Sequence, residues 1–149
     1  MSEIALPKID KSIIDKKKEI VKKLSKLTNS DNVLSEADEL RPYETDALSV
    51  YTQTPLAVVL PENTKQVSEI LKYCHEENIK VVPRGAGTGL SGGALPLQDA
   101  ILLGLGKFNQ ILEIDYHNKC VVTQPGVTNL GITHAVEHKG FYYAPDPSS

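Results

Sequence analysis

A dense run of glycines is the feature of this sequence that most limits how the chain can fold. Five of its ten glycines fall between residues 85 and 93. A loop that only reverses the chain direction needs one or two glycines. A longer bare stretch lets the backbone approach a ligand closely and lets successive N–H groups point at one anion. We therefore predict a phosphate-binding loop, in which the guanidinium of Arg84 and the hydroxyls of Thr88 and Ser91 are further donors.

The residues before this loop predict a strand, a helix and a second strand. The apolar run at residues 56–60 is typical of a strand that is buried in a parallel sheet. Asn63 is a favourable N-cap, and the apolar spacing after it predicts a helix over residues 65–77. A second short strand is expected at residues 79–82, ending at Pro83. Together these elements indicate a compact βαβ unit that leads directly into the glycine-rich loop.

The class of phosphate-binding loop follows from what comes after it. Residues 87–92 match the pattern G-x-G-x-x-G of dinucleotide-binding Rossmann folds, but in those folds the loop must open a helix. Here Pro96 and the short spacing to the next apolar run leave no room for a helix. A Rossmann fold is therefore rejected. A Walker loop and a protein-kinase loop are rejected as well, because their accompanying motifs are missing.

The sequence after the loop predicts mainly short strands. We expect three strands joined as antiparallel hairpins, then a helix capped by Asn129 and one more short strand, at residues 100–105, 110–115, 119–123, 130–138 and 141–143. The predicted fold class is α+β, with a small βαβ subdomain, a mainly antiparallel sheet and an N-terminal helical extension. The chain of 149 residues has the size of one domain, with the extension at residues 1–41 and the organised part at residues 42–149.

The first 30 residues are basic, although the whole chain has a formal net charge of −3. They contain eight lysines and four acidic residues, so this segment carries +4 and the remainder −7. Ile13, Ile20 and Leu24 recur at helical spacing among the lysines. We therefore predict a helix over residues 9–27 that packs on the body of the protein with its lysines in solvent. A basic segment that binds an acidic partner is the alternative.

Targeting and thiol signals are weak. The start Met-Ser-Glu-Ile has no basic cluster or apolar segment, and no apolar run approaches the roughly 18 residues that span a bilayer. We expect a cytoplasmic protein, with any membrane association made through partner subunits. Cys74 and Cys120 are expected to be reduced and partly buried thiols.

The four histidines do not form a catalytic pattern. His134 and His138 lie one helical turn apart, but the segment is not His-Glu-x-x-His and a third ligand is missing. They are expected to be solvated, as is His75, and His117 is expected to lie in a turn between strands. We predict no catalytic residue and no metal ligand in this chain.

The order of these elements carries a family resemblance. An apolar strand and a capped helix precede Val-Val-Pro-Arg-Gly-Ala-Gly-Thr-Gly-Leu-Ser-Gly-Gly-Ala at residues 81–94. This succession resembles the FAD-binding domain of the vanillyl-alcohol oxidase / p-cresol methylhydroxylase superfamily. It is most similar to the branch that contains the glycolate oxidase flavin subunits and the D-lactate dehydrogenases. Residues 42–49, 122–127 and 142–149 extend the resemblance, which covers the chain from about residue 40 onward.

The resemblance implies an FAD cofactor whose pyrophosphate lies in the glycine-rich loop, with two later segments near the flavin. The implied FAD-binding residues are Arg84, Gly85, Ala86, Gly87, Thr88, Gly89, Leu90, Ser91, Gly92, Gly93, Gly126, Pro145, Asp146, Pro147 and Ser148. Covalently flavinylated relatives can carry a histidine in the middle of this loop, and Thr88 stands at the nearest equivalent position. The resemblance therefore implies that FAD is bound non-covalently.

The resemblance also implies an activity. In such enzymes the flavin N5 accepts hydride from C2 of a 2-hydroxyacid such as glycolate or D-lactate, and an iron–sulfur subunit carries the electrons onward. The family's FAD domain continues well beyond the segment that matches residues 145–147, and the catalytic base lies in that later part. We therefore expect an incomplete FAD domain that is inactive by itself. A non-catalytic phosphate- or nucleotide-binding module is the alternative function.

Overall fold

A four-stranded sheet lies at the centre of the computed structural model, which describes residues 7–145. Its strands run in the order β1-β2-β4-β3, and a separate two-stranded sheet pairs β5 with β6. The strands are β1 (Val33–Leu34), β2 (Ala57–Val59), β3 (Lys80–Arg84), β4 (Ala100–Gly104), β5 (Ile111–Asp115) and β6 (Cys120–Thr123). The helices are α1 (Lys11–Asp15), α2 (Lys17–Leu27), α3 (Ala37–Leu40), α4 (Thr64–Glu76) and α5 (Asn129–Val136), with short 3-10 turns at Ser30–Asn32, Arg41–Tyr43 and Glu137–Lys139.

The position of β4 differs from the sequence-based expectation. β4 lies between β2 and β3 and runs parallel to both, with Leu102 opposite Val58 on one side and Val82 on the other. It is therefore not part of an antiparallel hairpin, and within residues 7–145 only β5 and β6 form one. All five residues of β4 are buried, which is typical of a strand covered on both faces in a parallel sheet. The α+β class is confirmed, but the parallel part of the fold is larger than predicted.

The βαβ unit is confirmed, with one change at its end. Pro83 does not close β3, because the strand continues through it to Arg84. β3 is an edge strand, and a proline is tolerated there because one side of the strand needs no ladder hydrogen bond. The strand therefore delivers Arg84 directly to the beginning of the glycine-rich loop.

The helix caps are mostly those that the sequence predicts. The side chain of Asn63 accepts a hydrogen bond from the Gln66 amide at 3.0 Å, which caps α4. In α5 the cap is Thr128, whose hydroxyl accepts from the Gly131 amide at 3.0 Å, so the prediction of Asn129 was wrong by one residue. Residues 141–143 do not form the expected strand in the described part of the chain, where no other strand pairs with them.

The N-terminal segment packs on the sheet as predicted. Its helix is divided at Lys16 into α1 and α2, and Asp10 caps α1 by accepting from the Ser12 amide. Ile20 and Leu24 are buried in the main core together with residues of α4 and the sheet. This packing accounts for the apolar spacing of the segment.

A buried carboxylate fastens this segment to the sheet. Asp99, which is only 2% exposed, accepts hydrogen bonds from the Asp10 amide at 2.7 Å and from Lys80 Nζ at 2.6 Å. Lys80 also donates to the Lys8 carbonyl at 3.2 Å. Burial alone would raise the pKa of Asp99, but the hydrogen bonds from Lys80 and Asp10 outweigh it and hold the pKa below its ordinary value.

We expect Asp99→Asn to lower the free energy of unfolding at pH 7 by about 2 kcal/mol, because the amide leaves Lys80 without a charged partner. Since the pKa is lowered in the folded state, this stabilisation is present above the unfolded-state pKa of about 3.9 and is lost as the pH falls through the folded-state value. The difference between wild type and variant should therefore shrink below about pH 4. Urea unfolding, followed by circular dichroism at pH 7 and below about pH 4, measures this difference in the free energy of unfolding.

The matched control is Asp15→Asn, which removes an exposed carboxylate from α1. It should change the free energy of unfolding by less than about 0.5 kcal/mol at either pH. An equal loss in the two variants would show that Asp99 has no special role.

Candidate functional site

The glycine-rich loop lies at the carboxyl end of β3, where ligands commonly bind in open sheets of parallel strands. Residues 85–99 connect β3 to its parallel neighbour β4, and this crossover contains no helix. Most residues of the loop are exposed to solvent. The rejection of a Rossmann fold is confirmed, because a strand and not a helix follows the loop.

The glycines of the loop fall into two groups. Gly87 and Gly92 have φ angles of 73° and 74°, a conformation that favours glycine. At Gly85, Gly89 and Gly93 an added Cβ would meet no other atom within 4 Å, and φ is not in the left-handed region. The described protein therefore gives no internal reason for glycine at these three positions. Space in front of them suits a ligand that approaches the backbone closely.

The carbonyls and the amides of the loop backbone differ in their hydrogen bonding. The carbonyls of Gly87 and Gly92 accept hydrogen bonds from the amides of Ala47 at 2.9 Å and Leu95 at 3.2 Å. By contrast, within residues 7–145 the amides of residues 85–93 donate no hydrogen bond to another protein group. A loop with carbonyls engaged by the protein and amides left open is suited to bind an anion.

Arg84 lies beneath this loop. It is 7% exposed, and its Nη2 atom donates to the Ala94 carbonyl at 2.5 Å, beyond the far end of the loop. Burial lowers the pKa of Arg84, while the negative charge of Asp46 opposes that shift. The sequence suggested that this guanidinium points at a phosphate. In the structure its hydrogen bond goes to the protein backbone, so its first role is to hold the loop.

The sequence did not predict that Asp46 is buried near the loop. Asp46 is 7% exposed, and its Oδ1 atom accepts a hydrogen bond from the Leu48 amide at 2.9 Å. It belongs to an irregular segment, residues 44–53, that is closed by a hydrogen bond from the Gln53 amide to the Glu44 carbonyl at 2.9 Å. The segment has no hydrophobic periodicity, and the only local signal is an aspartate that precedes a turn.

The predicted site residue Gly126 has a clear packing reason. Its amide donates to the Phe108 carbonyl at 2.8 Å, and an added Cβ would lie 2.3 Å from the Leu105 carbonyl oxygen and 2.8 Å from that of Phe108. Its neighbour Gln124 is buried and accepts from the Gln110 amide at 2.7 Å. These contacts hold the connection after β6, and contact of Gly126 with a cofactor stays a prediction.

Of the last predicted site segment, residues 145–148, the structure describes only Pro145. Pro145 is exposed, and its carbonyl accepts a hydrogen bond from Asn129 Nδ2 at 3.3 Å. The predicted site residues Asp146, Pro147 and Ser148 lie outside the described residues. In residues 7–145 the loop is hydrogen-bonded to Ala47 and Leu95, and Arg84 is hydrogen-bonded to Ala94. None of these hydrogen bonds reaches Gly126 or Pro145.

The two cysteines and the four histidines all lie outside the glycine-rich loop. Cys74 is buried, which raises its pKa to about 11 and keeps the thiol unreactive. Cys120 is exposed, so the expectation that both thiols are partly buried was wrong for it. The exposure predicted for His75, His134 and His138 is confirmed, and His117 is exposed as well.

Neither a cluster of metal ligands nor a membrane-spanning helix is present in residues 7–145. No group of three or more His, Cys, Asp or Glu side chains there is arranged to hold a metal ion. Within the same residues, no helix combines the length and the apolar character needed to cross a membrane.

Comparison with known proteins identifies the family. A family model described as "FAD binding domain" matches residues 55–149, so the chain belongs to this family of FAD-binding domains. The chain is 51% identical over 117 residues to the glycolate oxidase subunit GlcD of Escherichia coli K12, an alignment that covers 78% of this chain and 23% of the relative. It is 32% identical over 130 residues to D-2-hydroxyglutarate dehydrogenase of Stutzerimonas stutzeri, which covers 87% of this chain and 28% of the relative.

Solved structures confirm the fold. A structure of p-cresol methylhydroxylase superposes with a TM-score of 0.73 and 28% identity, over 89% of this chain and 26% of the other. A 4-ethylphenol oxidase from Gulosibacter chungangensis superposes with a TM-score of 0.75 and 26% identity, over 91% and 27% of the two chains. The chain thus spans about a quarter of the length of these relatives. The predicted family, fold and FAD cofactor are confirmed at the level of the domain.

We expect Gly126→Ala to lower the free energy of unfolding by roughly 1–3 kcal/mol, because the new methyl group meets two backbone carbonyls that cannot rotate away. Thermal and urea unfolding measure the loss. Gly106→Ala is the control, since a Cβ there meets no atom within 4 Å. Equal stability of the two variants would contradict the packing account of Gly126.

Proposed function

We propose that this chain is the FAD-binding portion of a flavin-dependent 2-hydroxyacid dehydrogenase and that residues 85–93 bind the pyrophosphate of FAD. The observation that carries the proposal is the loop with open amides and glycines that no internal contact explains. Successive amides of this kind form a cradle for a phosphate group. The buried positive charge of Arg84 beneath the loop adds to the attraction for a diphosphate.

The chemistry of the reaction belongs to the cofactor, which when bound accepts hydride from C2 of a 2-hydroxyacid and leaves the 2-oxoacid. The task of this chain is to bind the cofactor and to fix its position. Thr88 is exposed in the middle of the loop and carries a hydroxyl, a group much less nucleophilic than the imidazole of the histidine that can occupy this place in covalently flavinylated relatives. FAD is therefore bound non-covalently, through main-chain amides.

The named relatives support the choice of substrate class. A glycolate oxidase subunit and a D-2-hydroxyglutarate dehydrogenase both act on 2-hydroxyacids, and glycolate and D-lactate are the substrates that we propose. GlcD is one subunit of a larger oxidase, which supports an assembly with a further subunit. We propose an iron–sulfur subunit as the electron acceptor and a cytoplasmic location, with any membrane contact made by partner subunits.

A non-catalytic nucleotide-binding module is the second candidate. It is favoured by the open amides of the loop, which suit a diphosphate whatever group is attached to it. Such a module would bind ADP as readily as FAD.

Colour separates these two functions. Co-expressed with the C-terminal part of the Escherichia coli glycolate oxidase subunit, the chain should copurify as a yellow protein with the visible absorbance of bound flavin. Acid precipitation should release all of the flavin into solution, because no covalent bond holds it. A colourless protein that binds ADP would favour the nucleotide-binding module, and flavin that stays with the precipitate would contradict non-covalent binding.

We expect Gly89→Ala to weaken FAD binding to this assembly by about tenfold or more, since a methyl group occupies the space of the phosphate. Flavin fluorescence titration measures the affinity. The melting temperature should not change, because the new Cβ meets no protein atom within 4 Å. Gly106→Ala is equally open and is the control that should keep full affinity.

The chain by itself should not oxidise glycolate or D-lactate, because the family resemblance places the catalytic base outside the segment that these residues match. Reduction of an artificial electron acceptor in the presence of added FAD measures turnover. Supplying the C-terminal part of the relative should restore it. Substrate-dependent reduction by the chain alone would show that the catalytic group lies within these 149 residues.

A further inference from the structure

We propose that Asp46 is a positioning residue for the pyrophosphate loop. Together with Arg84 it holds the loop in its binding conformation, and it does so through the hydrogen bond from the Ala47 amide to the Gly87 carbonyl. The inference rests on the proposed function, since it assigns a role within the same site. It adds a residue that lies outside the glycine-rich sequence and 38 positions before Arg84 in the chain.

The first contact is a local turn. The Oδ1 atom of Asp46 accepts from the Leu48 amide at 2.9 Å, and this side-chain turn fixes the backbone between them. The amide of Ala47 lies inside that turn and donates to the Gly87 carbonyl at 2.9 Å. Gly87 is the loop residue with a φ of 73°. The carboxylate thus fixes the position of the Ala47 amide that donates to the Gly87 carbonyl of the loop.

The second interaction is between charges. Asp46 and Arg84 are both 7% exposed, and each has one buried polar atom, Oδ2 and Nε, without a hydrogen-bond partner among the described residues. No direct ion pair joins them, but the charge of Asp46 stabilises the charged form of Arg84. Removing one member would leave the other as a buried charge without compensation, which is costly.

The two residues hold the loop at different points. Asp46 acts on its middle through Ala47, while Arg84 begins the loop and donates to the Ala94 carbonyl beyond its end. The side chain of Arg84 also passes 3.4 Å from the position of a Cβ on Gly87. Neither contact uses an amide of residues 85–93, so these amides stay available for the diphosphate.

The Ala47 amide reports on this arrangement without any flavin. Its hydrogen exchange is followed in the 149-residue chain for wild type, Asp46→Asn, Arg84→Met and the double variant. Asn keeps an oxygen acceptor for the Leu48 amide, so this change mainly removes the charge. We expect exchange of the Ala47 amide to be about tenfold faster in each single variant. The Leu102 amide in the centre of the sheet should be unaffected and controls for global unfolding.

The double variant tests the coupling. If the charges act together, the Ala47 amide should exchange more slowly in the double variant than in Arg84→Met, because the second change removes the uncompensated charge of Asp46. If Arg84→Met does not fold, Arg84→Lys replaces it, with a smaller effect of the same sign. Unchanged exchange of the Ala47 amide in the single variants would overturn the inference. Simply additive effects, or equal acceleration at Leu102, would overturn it too.

A flavin measurement completes the test. In the co-expressed assembly, Asp46→Asn should weaken FAD affinity about tenfold, while the fraction that holds FAD keeps the wild-type KM for the hydroxyacid. An altered KM with unchanged FAD affinity would count against a positioning role. Absence of flavin from the wild-type assembly would contradict the proposed function, whereas the exchange measurement would still decide the role of Asp46.

Discussion

The parallel pairing of β4 between β2 and β3 is the constraint on which the rest of the structure depends. Because β3 and β4 are parallel neighbours, residues 85–99 must run from the carboxyl end of one strand back to the amino end of the other. Such crossovers usually contain a helix, but this one begins with a glycine-rich loop. The pairing therefore exposes the loop amides at one edge of the sheet and places Asp99 at the other, where it receives the N-terminal segment.

The proposed site has a side for the ligand and a side that is held by the protein. On the proposed binding side lie amides without a protein partner in residues 7–145 and glycines at which an added Cβ would meet no atom. On the supporting side, the Ala47 amide and the guanidinium of Arg84 engage carbonyls of or next to the loop. An exposed loop of this composition would otherwise be free to sample many shapes, and ordering it on ligand binding would reduce affinity. The buried groups beneath the loop lower that cost in advance.

Local patterns predicted most elements of the fold because each depends on neighbouring residues. The cap at Asn63, the periodicity of α4 and the apolar spacing of the N-terminal helix could all be interpreted from a few positions. The predictions were wrong where the pairing of a strand depends on a partner that is distant in the sequence. The strand β4 pairs with β2 and β3 and not with the next strand, and residues 141–143 have no paired strand among the described residues.

The sequence by itself determined that this chain has a βαβ unit, a loop suited to a phosphate group, and membership of a flavoprotein superfamily. The first two conclusions follow from the order and spacing of residues, and the third from a resemblance to a known family; none of them depends on distant contacts. Only the tertiary structure decided that Arg84 supports the loop from within, that Asp46 is buried near Arg84 next to the residue that bonds Gly87, and that Gly126 is required by packing. The reason is physical. Burial and hydrogen-bond partners arise when segments far apart in the chain pack together, and residue type alone does not specify which groups will meet.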